Sequence, residues 1–221
     1  MSNEQKETPL EKETGRIEAF SDGVFAVAIT LLVFDLQVPL PKAGETFSVA
    51  SLGVALLHQW PFYLAFITSF ATILIMWISH HSIFKMVYKS NTPFLFANGF
   101  MLFVVTVVPF PTSLVAEYLN KPAAAMACAV YAGIFVIVNL AYNVLLWTVR
   151  HHRYLLRPEV SDTQLKMTTR NALLGLPLYL IATVVAFLNP YISVGICSAL
   201  WVFWAFVFYE DSHQQRDMKV A

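Results

Sequence analysis

The sequence predicts an all-α integral membrane protein with six transmembrane helices. Three observations carry this. Of 221 residues, 57% are hydrophobic and 13% charged, where soluble domains average about 25% charged, and the mean hydropathy is +0.61. The apolar residues gather into six runs of roughly the 20 residues a bilayer requires. The basic residues then sort by side. Lys6, Lys12, Arg16, Lys85, Lys89, Arg150, Arg153, Arg157, Lys166, Arg170, Arg216 and Lys219 fall on one face of a six-span path, and only Lys42 and Lys121 on the other. By the positive-inside rule both termini are cytoplasmic.

In chain order, residues 1–15 read as a polar cytoplasmic segment. They lack a basic stretch leading into a short apolar run with a cleavage site, so no signal peptide is expected. Span 1 covers about 17–38 and is closed by Pro39 and Pro41. A short apolar helix over 48–58 is too brief to cross. Span 2 covers 61–85 and span 3 covers 93–116, broken near its far end by Pro109 and Pro111. Span 4, at 122–149, opens with small residues from Ala123 to Gly133. A basic loop over 150–170 precedes span 5 at 171–188, and Asn189-Pro190 turns the chain into span 6 at 191–209. A polar tail covers 210–221. No internal repeat is visible. Cys128 and Cys197 lie in apolar spans, where a cysteine serves as a small hydrophobe. Zero net charge removes any global argument for nucleic acid as a partner.

Span 1 concentrates the unusual residues. Asp22 and Asp35 are thirteen positions apart, about 20 Å along a helix axis, whereas the hydrocarbon core is about 30 Å thick. At least one carboxyl therefore lies at or near membrane depth, where an isolated charge costs about 2.5–3.5 kcal/mol or more. Its helix must turn that side to protein or water. Ser21 and Asp22 share a depth with Trp77, His80 and His81 of span 2 and Asn98 of span 3. These groups form either a hydrogen-bonded lock between helices or, for the histidines and Trp77, an interfacial belt. Adjacent histidines diverge by about 100° on a helix, which argues against a metal site.

At 100° per residue, Phe20, Gly23, Val27, Leu31 and Phe34 form one apolar stripe with Thr30 on its flank. Asp22, Ile29 and Val33 point nearly opposite. With Asp22 sheltered inside its own subunit, the stripe is left to face lipid, a partner subunit or a symmetry axis. Asp35, near the outer end, either concentrates cations or is a solvated helix end. Asn139 and Asn143, one turn apart on span 4, read as interhelical glue in preference to an ion site.

The pattern Arg16-x-x-x-Phe20-Ser21-Asp22-Gly23 at the head of a first transmembrane helix, with Trp77, His80 and His81 late in the second, resembles the TMEM175 family of potassium-permeable channels. The resemblance covers the whole chain in topology. Animal members resemble two such six-helix units in tandem, and single-unit prokaryotic chains assemble as homotetramers. It implies a channel domain over 16–209 in which the first helix of four subunits lines a central pore, without a Thr-Val-Gly-Tyr-Gly filter. It further implies a hydrophobic constriction at Val27, Leu31 and Phe34, and a hydroxyl layer at Thr30 near which K+ sits. Arg16, Phe20, Ser21 and Asp22 with Trp77, His80, His81 and Asn98 would form a structural network. Val27 is smaller and Phe34 bulkier than the family's usual aliphatic residues, which leaves the narrowest layer open.

The expected activity is passive conduction of K+ and other monovalent cations through the cell membrane, gated by dewetting of apolar rings, with modest K+ over Na+ selectivity and no cofactor. An ion- or proton-coupled transporter is the alternative, motivated by Asp22 and the histidines. Such transporters usually carry internal repeats and broken midplane helices, which span 1 lacks. The motifs HExxH and GxSxG are absent, and the chain is not expected to be an enzyme.

Overall fold

A computed structural model of the chain describes residues 14–41 and 44–220, with side chains through 207. Residues 1–13 of the expected N-terminal segment over 1–15, together with Lys42, lie outside the described residues.

Among the described residues, six helical spans are long and apolar enough to cross a bilayer. Span 1 is α1 (Gly15–Leu31), which tightens into a 3₁₀ turn over Leu32–Asp35 before the chain extends at Leu36. The short helix α2 (Val49–His58) begins with a reciprocal cap: Ser48 accepts from the Ser51 N–H while Ser51 accepts from the Ser48 N–H. That arrangement satisfies donors a helix start otherwise leaves open. α3 (Trp60–Met86) carries Pro61 in its first turn, where a missing N–H is harmless. Span 3 is split into α4 (Thr92–Val107) and α5 (Pro109–Tyr118) at the expected proline break. α6 is Ala124–His151, α7 is Asp162–Val185 and α8 is Pro190–Val220.

Two boundaries depart from expectation. The loop expected over 150–170 contains the start of α7, nine residues ahead of the anticipated 171. Ser161 caps that start by accepting from the Gln164 N–H at 3.1 Å, so the helix begins in the polar segment before its apolar stretch. The expected polar tail over 210–221 is helical backbone as far as Val220, continuous with α8. Nothing in the sequence between 207 and 212 breaks a helix: neither Pro nor Gly occurs there.

α6 is the hub. It packs against α4, α5, α7 and α8, while α1 lies on the other side against α3 and α4. Small residues make the hub possible: Ala127, Cys128, Ala129 and Ala132 are buried and let neighbouring backbones approach, the packing rule of membrane bundles. Polar pairs pin it internally. Ser69 of α3 meets Thr112 of α5 at 2.7 Å and Tyr131 of α6 at 3.1 Å. Asn143 on α6 donates to the Ala172 carbonyl of α7 at 3.3 Å. Asn143 therefore joins two helices, as expected, while Asn139 accepts from Asn143 within α6. Where α6 and α7 touch, Gly175 is required: a methyl added there would stand 2.1 Å from Asn139 Nδ2.

Candidate functional site: the inner end of α1 and its apolar stripe

α1 turns two different sides outward and inward. Ser21, Phe25, Ala28 and Leu32 recur at helical spacing and are buried against the protomer. On another face Phe20, Val27, Leu31 and Phe34 are exposed at 67%, 56%, 41% and 78%, with Gly23 and Thr30 exposed among them. The apolar stripe read from the sequence is thus unpartnered within one chain. Val33 departs from the wheel, being exposed instead of sharing the packed side. Val33 lies in the 3₁₀ turn that starts at Leu32, where an advance of about 120° per residue moves it from its place on the wheel, while Phe34 stays on the exposed stripe.

The inward side carries a polar lattice. Trp77 Nε1 donates to Asp22 Oδ1 at 2.8 Å. Asn98 Nδ2 donates to Ser21 Oγ at 3.0 Å, and Ser21 Oγ in turn donates to the Ile17 carbonyl at 2.8 Å. His80 Nε2 stands 2.9 Å from Asn98 Oδ1. Because that amide oxygen only accepts, Nε2 carries the proton in this arrangement and Nδ1 is left as the acceptor nitrogen. Nδ1 is buried without a partner, between the rings of Phe25 and Phe84 at centroid distances of 5.4 and 4.3 Å. The chain His80, Asn98, Ser21, Ile17 thus joins α3, α4 and α1 through single hydrogen bonds in one direction.

A second rung was not anticipated from the sequence. His81 Nδ1 lies 3.2 Å from Glu18 Oε1, within ion-pair reach but without hydrogen-bond alignment. Glu18 stands one turn before Asp22 on α1, and His81 one turn after Trp77 on α3, with the two α3 rings stacked at 5.7 Å and 13°. That matched spacing of four was the available signal. Trp77 and His80 thus carry hydrogen bonds to α1 and α4, while His81 lies within ion-pair reach of Glu18.

Two residues expected in the network stand outside it. Arg16 is exposed, and Phe20 is exposed on the stripe. They stand eleven and seven residues before Val27, close to whole turns of an α-helix, so helical geometry puts them on the face of Val27 and directs them away from α3 and α4. At the other end, Asp35 accepts a hydrogen bond from Ser113 Oγ of α5, and its Oδ2 is buried without a partner. Its side chain is therefore held by α5 and is not a freely solvated helix end. Thr30 Oγ1 donates to the Val27 carbonyl at 2.9 Å, which leaves its lone pairs outward.

With this geometry in view, comparison with known proteins is decisive. The family described as "Endosomal/lysosomal potassium channel TMEM175" matches residues 16–109, a stretch that includes α1, α3 and the whole polar lattice. A potassium channel of Chamaesiphon minutus is 46% identical over 90% of this chain and 97% of its own length. The chain belongs to the TMEM175 family. This is a family of ion channels and not of enzymes. A potassium channel of Streptomyces collinus is 38% identical over 88% of this chain and 92% of its own. The crystal structure of a lysosomal potassium-selective channel TMEM175 homologue from Chamaesiphon minutus superposes with a TM-score of 0.79, at 44% identity, covering 89% of this chain and 98% of that one. The fold is accordingly that of a multi-pass, all-helical TMEM175 protein.

Proposed function

We propose that this TMEM175 protein is a passive potassium-permeable channel of the cell membrane, a homotetramer in which four copies of α1 surround a central pore. Its termini are cytoplasmic. The observation that carries the reading is the division of α1: its acidic side is tied to α3 while Phe20, Val27, Leu31 and Phe34 stand exposed. An apolar row left over on a helix whose other side is already fixed calls for a partner surface, and membership of a channel family supports reading that surface as facing a shared axis.

Conduction then follows from elementary wetting. Rings of Val27, Leu31 and Phe34 around an axis form a constriction too apolar to hold a water column, so ions are stopped by dewetting without a plug. Opening requires α1 to rotate or tilt until the rings part. Thr30, whose hydroxyl hydrogen is occupied by its own helix, presents oxygen lone pairs that replace part of the K+ hydration shell. One hydroxyl ring supplies fewer coordinating dipoles than a multi-layer carbonyl filter, so selectivity for K+ over Na+ is modest. Asp35, steered by Ser113, adds negative potential near the outer mouth.

The test is recording from purified protein in planar bilayers under a K+/Na+ gradient. Unitary steps with a reversal potential displaced towards K+ support a channel. Saturable flux without conductance steps would point to a coupled transporter and overturn the reading.

A further inference from the structure

Helices α3, α6, α7 and α8 line a cavity of about 1010 Å³, which shares Trp77 and His81 with the lattice that ties α3 to α1. No residue of α1, α4 or α5 lines it. Along α3 it reaches from Thr72 to Met86, about 20 Å at 1.5 Å per residue. At the Met86 end the lining includes two cations, Lys85 and Arg157, and one carboxylate, Glu159, which leaves a single net positive charge.

Arg157 is held there by the backbone. Its N–H donates to the Met86 carbonyl at 2.9 Å, beside the isolated bridge between Val87 and Leu156. Its Nε is buried with no hydrogen-bond partner, and among the described residues neither Arg157 nor Lys85 forms an ion pair. A buried guanidinium nitrogen without an acceptor is costly, and a planar fork of this kind matches phosphate or carboxylate oxygens.

The interior has the opposite character. Four of its hydroxyls are consumed within their own helices: Ser79, Ser82, Thr72 and Thr168 each donate to the carbonyl four residues earlier. What they leave facing the space is mainly ring and aliphatic surface, including Trp77, Phe135, Tyr179, Trp201 and Trp204. A deep apolar chamber with its unsatisfied charged donor at one end is complementary to a molecule with one charged end and one hydrocarbon tail.

We propose that this cavity binds a single-chain anionic amphiphile, with its phosphate or carboxylate head on Arg157 and Lys85 and its tail among the aromatic rings. The site lies apart from the conduction path and stands or falls independently of it.

The experiment uses the full-length protein in a nonionic detergent and n-alkyl phosphates brominated at the tail end, which quench nearby tryptophans. Quenching is expected to saturate. Referred to the free aqueous concentration of the alkyl phosphate, affinity should tighten about fourfold for each methylene added, from the transfer free energy of a buried CH₂, until the tail exceeds the depth of the chamber. Arg157→Gln should weaken binding at least tenfold, since a charge-assisted hydrogen bond is lost, and Arg157→Lys should fall between. Inorganic phosphate should compete only weakly, and a brominated alkyl alcohol of equal length should bind more than tenfold less tightly. Should Arg157→Gln fail to fold, Lys85→Gln and the alcohol comparison on the wild-type chain carry the decision. Unsaturable quenching, equal affinity for alcohol and phosphate, or displacement by inorganic phosphate at the affinity of the alkyl phosphate would each overturn the proposal.

Discussion

At Asp22 the chain places a carboxylate at membrane depth and spends one indole on it. Trp77 Nε1 is the donor at 2.8 Å, and a hydrogen bond to a charged group contributes about 1.5–3 kcal/mol. Trp77→Phe keeps the ring and deletes that donor, so it should lower the midpoint of thermal unfolding in detergent while leaving the reversal potential where it was. Asp22→Ala should impair assembly or folding more than permeation; a well-folded oligomer with altered selectivity would contradict the positioning role. Leu31 and Val27 face the opposite test. They are 41% and 56% exposed within one protomer, so an amide there disturbs little internal packing but gives water a partner at the proposed constriction. Leu31→Asn or Val27→Asn should raise basal K+ current severalfold in bilayer recordings, and unchanged currents in both variants would remove α1 from the pore lining.

At the scale of helices, the contact of α6 with α7 is set by Gly175. A methyl there would collide with Asn139, whose side chain is itself held, because Asn143 Nδ2 donates to Asn139 Oδ1 at 3.1 Å. Gly175→Val should therefore cost about 1–3 kcal/mol, the usual effect of overpacking, read as a loss of thermal stability without a change in ion preference. The same helices show what a sequence discloses and what it withholds. The stripe on α1 was legible because a regular helix repeats its faces; Val33, inside the 3₁₀ turn, departed from the wheel while Phe34 beside it did not. The lattice of Asp22, Trp77, His80 and Asn98 was legible from equal depth on antiparallel spans; Glu18 was not, although it stands one turn from Asp22. The early start of α7 had a local sign in Ser161 followed three residues later by Gln164, a capping pattern that hydropathy alone passes over. The chamber lined by Trp201 and Trp204 left no trace in the sequence, because its volume depends on how far four helices stand apart.

For the whole molecule, the decisive question is which surface of the bundle meets another copy. α1 packs on α3 and α4, whereas α7 packs on α6 and α8, so the two helices stand on different sides of the protomer. If α1 surrounds an axis, Phe34, 78% exposed near the outer end, stands at the water-filled mouth, and Ile181 on α7, 54% exposed, faces hydrocarbon. Thiol chemistry separates these environments, because a charged, membrane-impermeant reagent needs water and a thiolate to react. The native Cys128 and Cys197 are both buried, so a cysteine introduced at either position is the accessible one. A cationic thiol reagent added from outside should block most of the current through Phe34→Cys and leave Ile181→Cys unaffected. In parallel, mass measurement in detergent should return four copies of the 24.9 kDa chain. A reactive Ile181→Cys with an inert Phe34→Cys, or a conducting species of one copy, would place the pore on the other side of the bundle and leave the stripe of α1 in lipid.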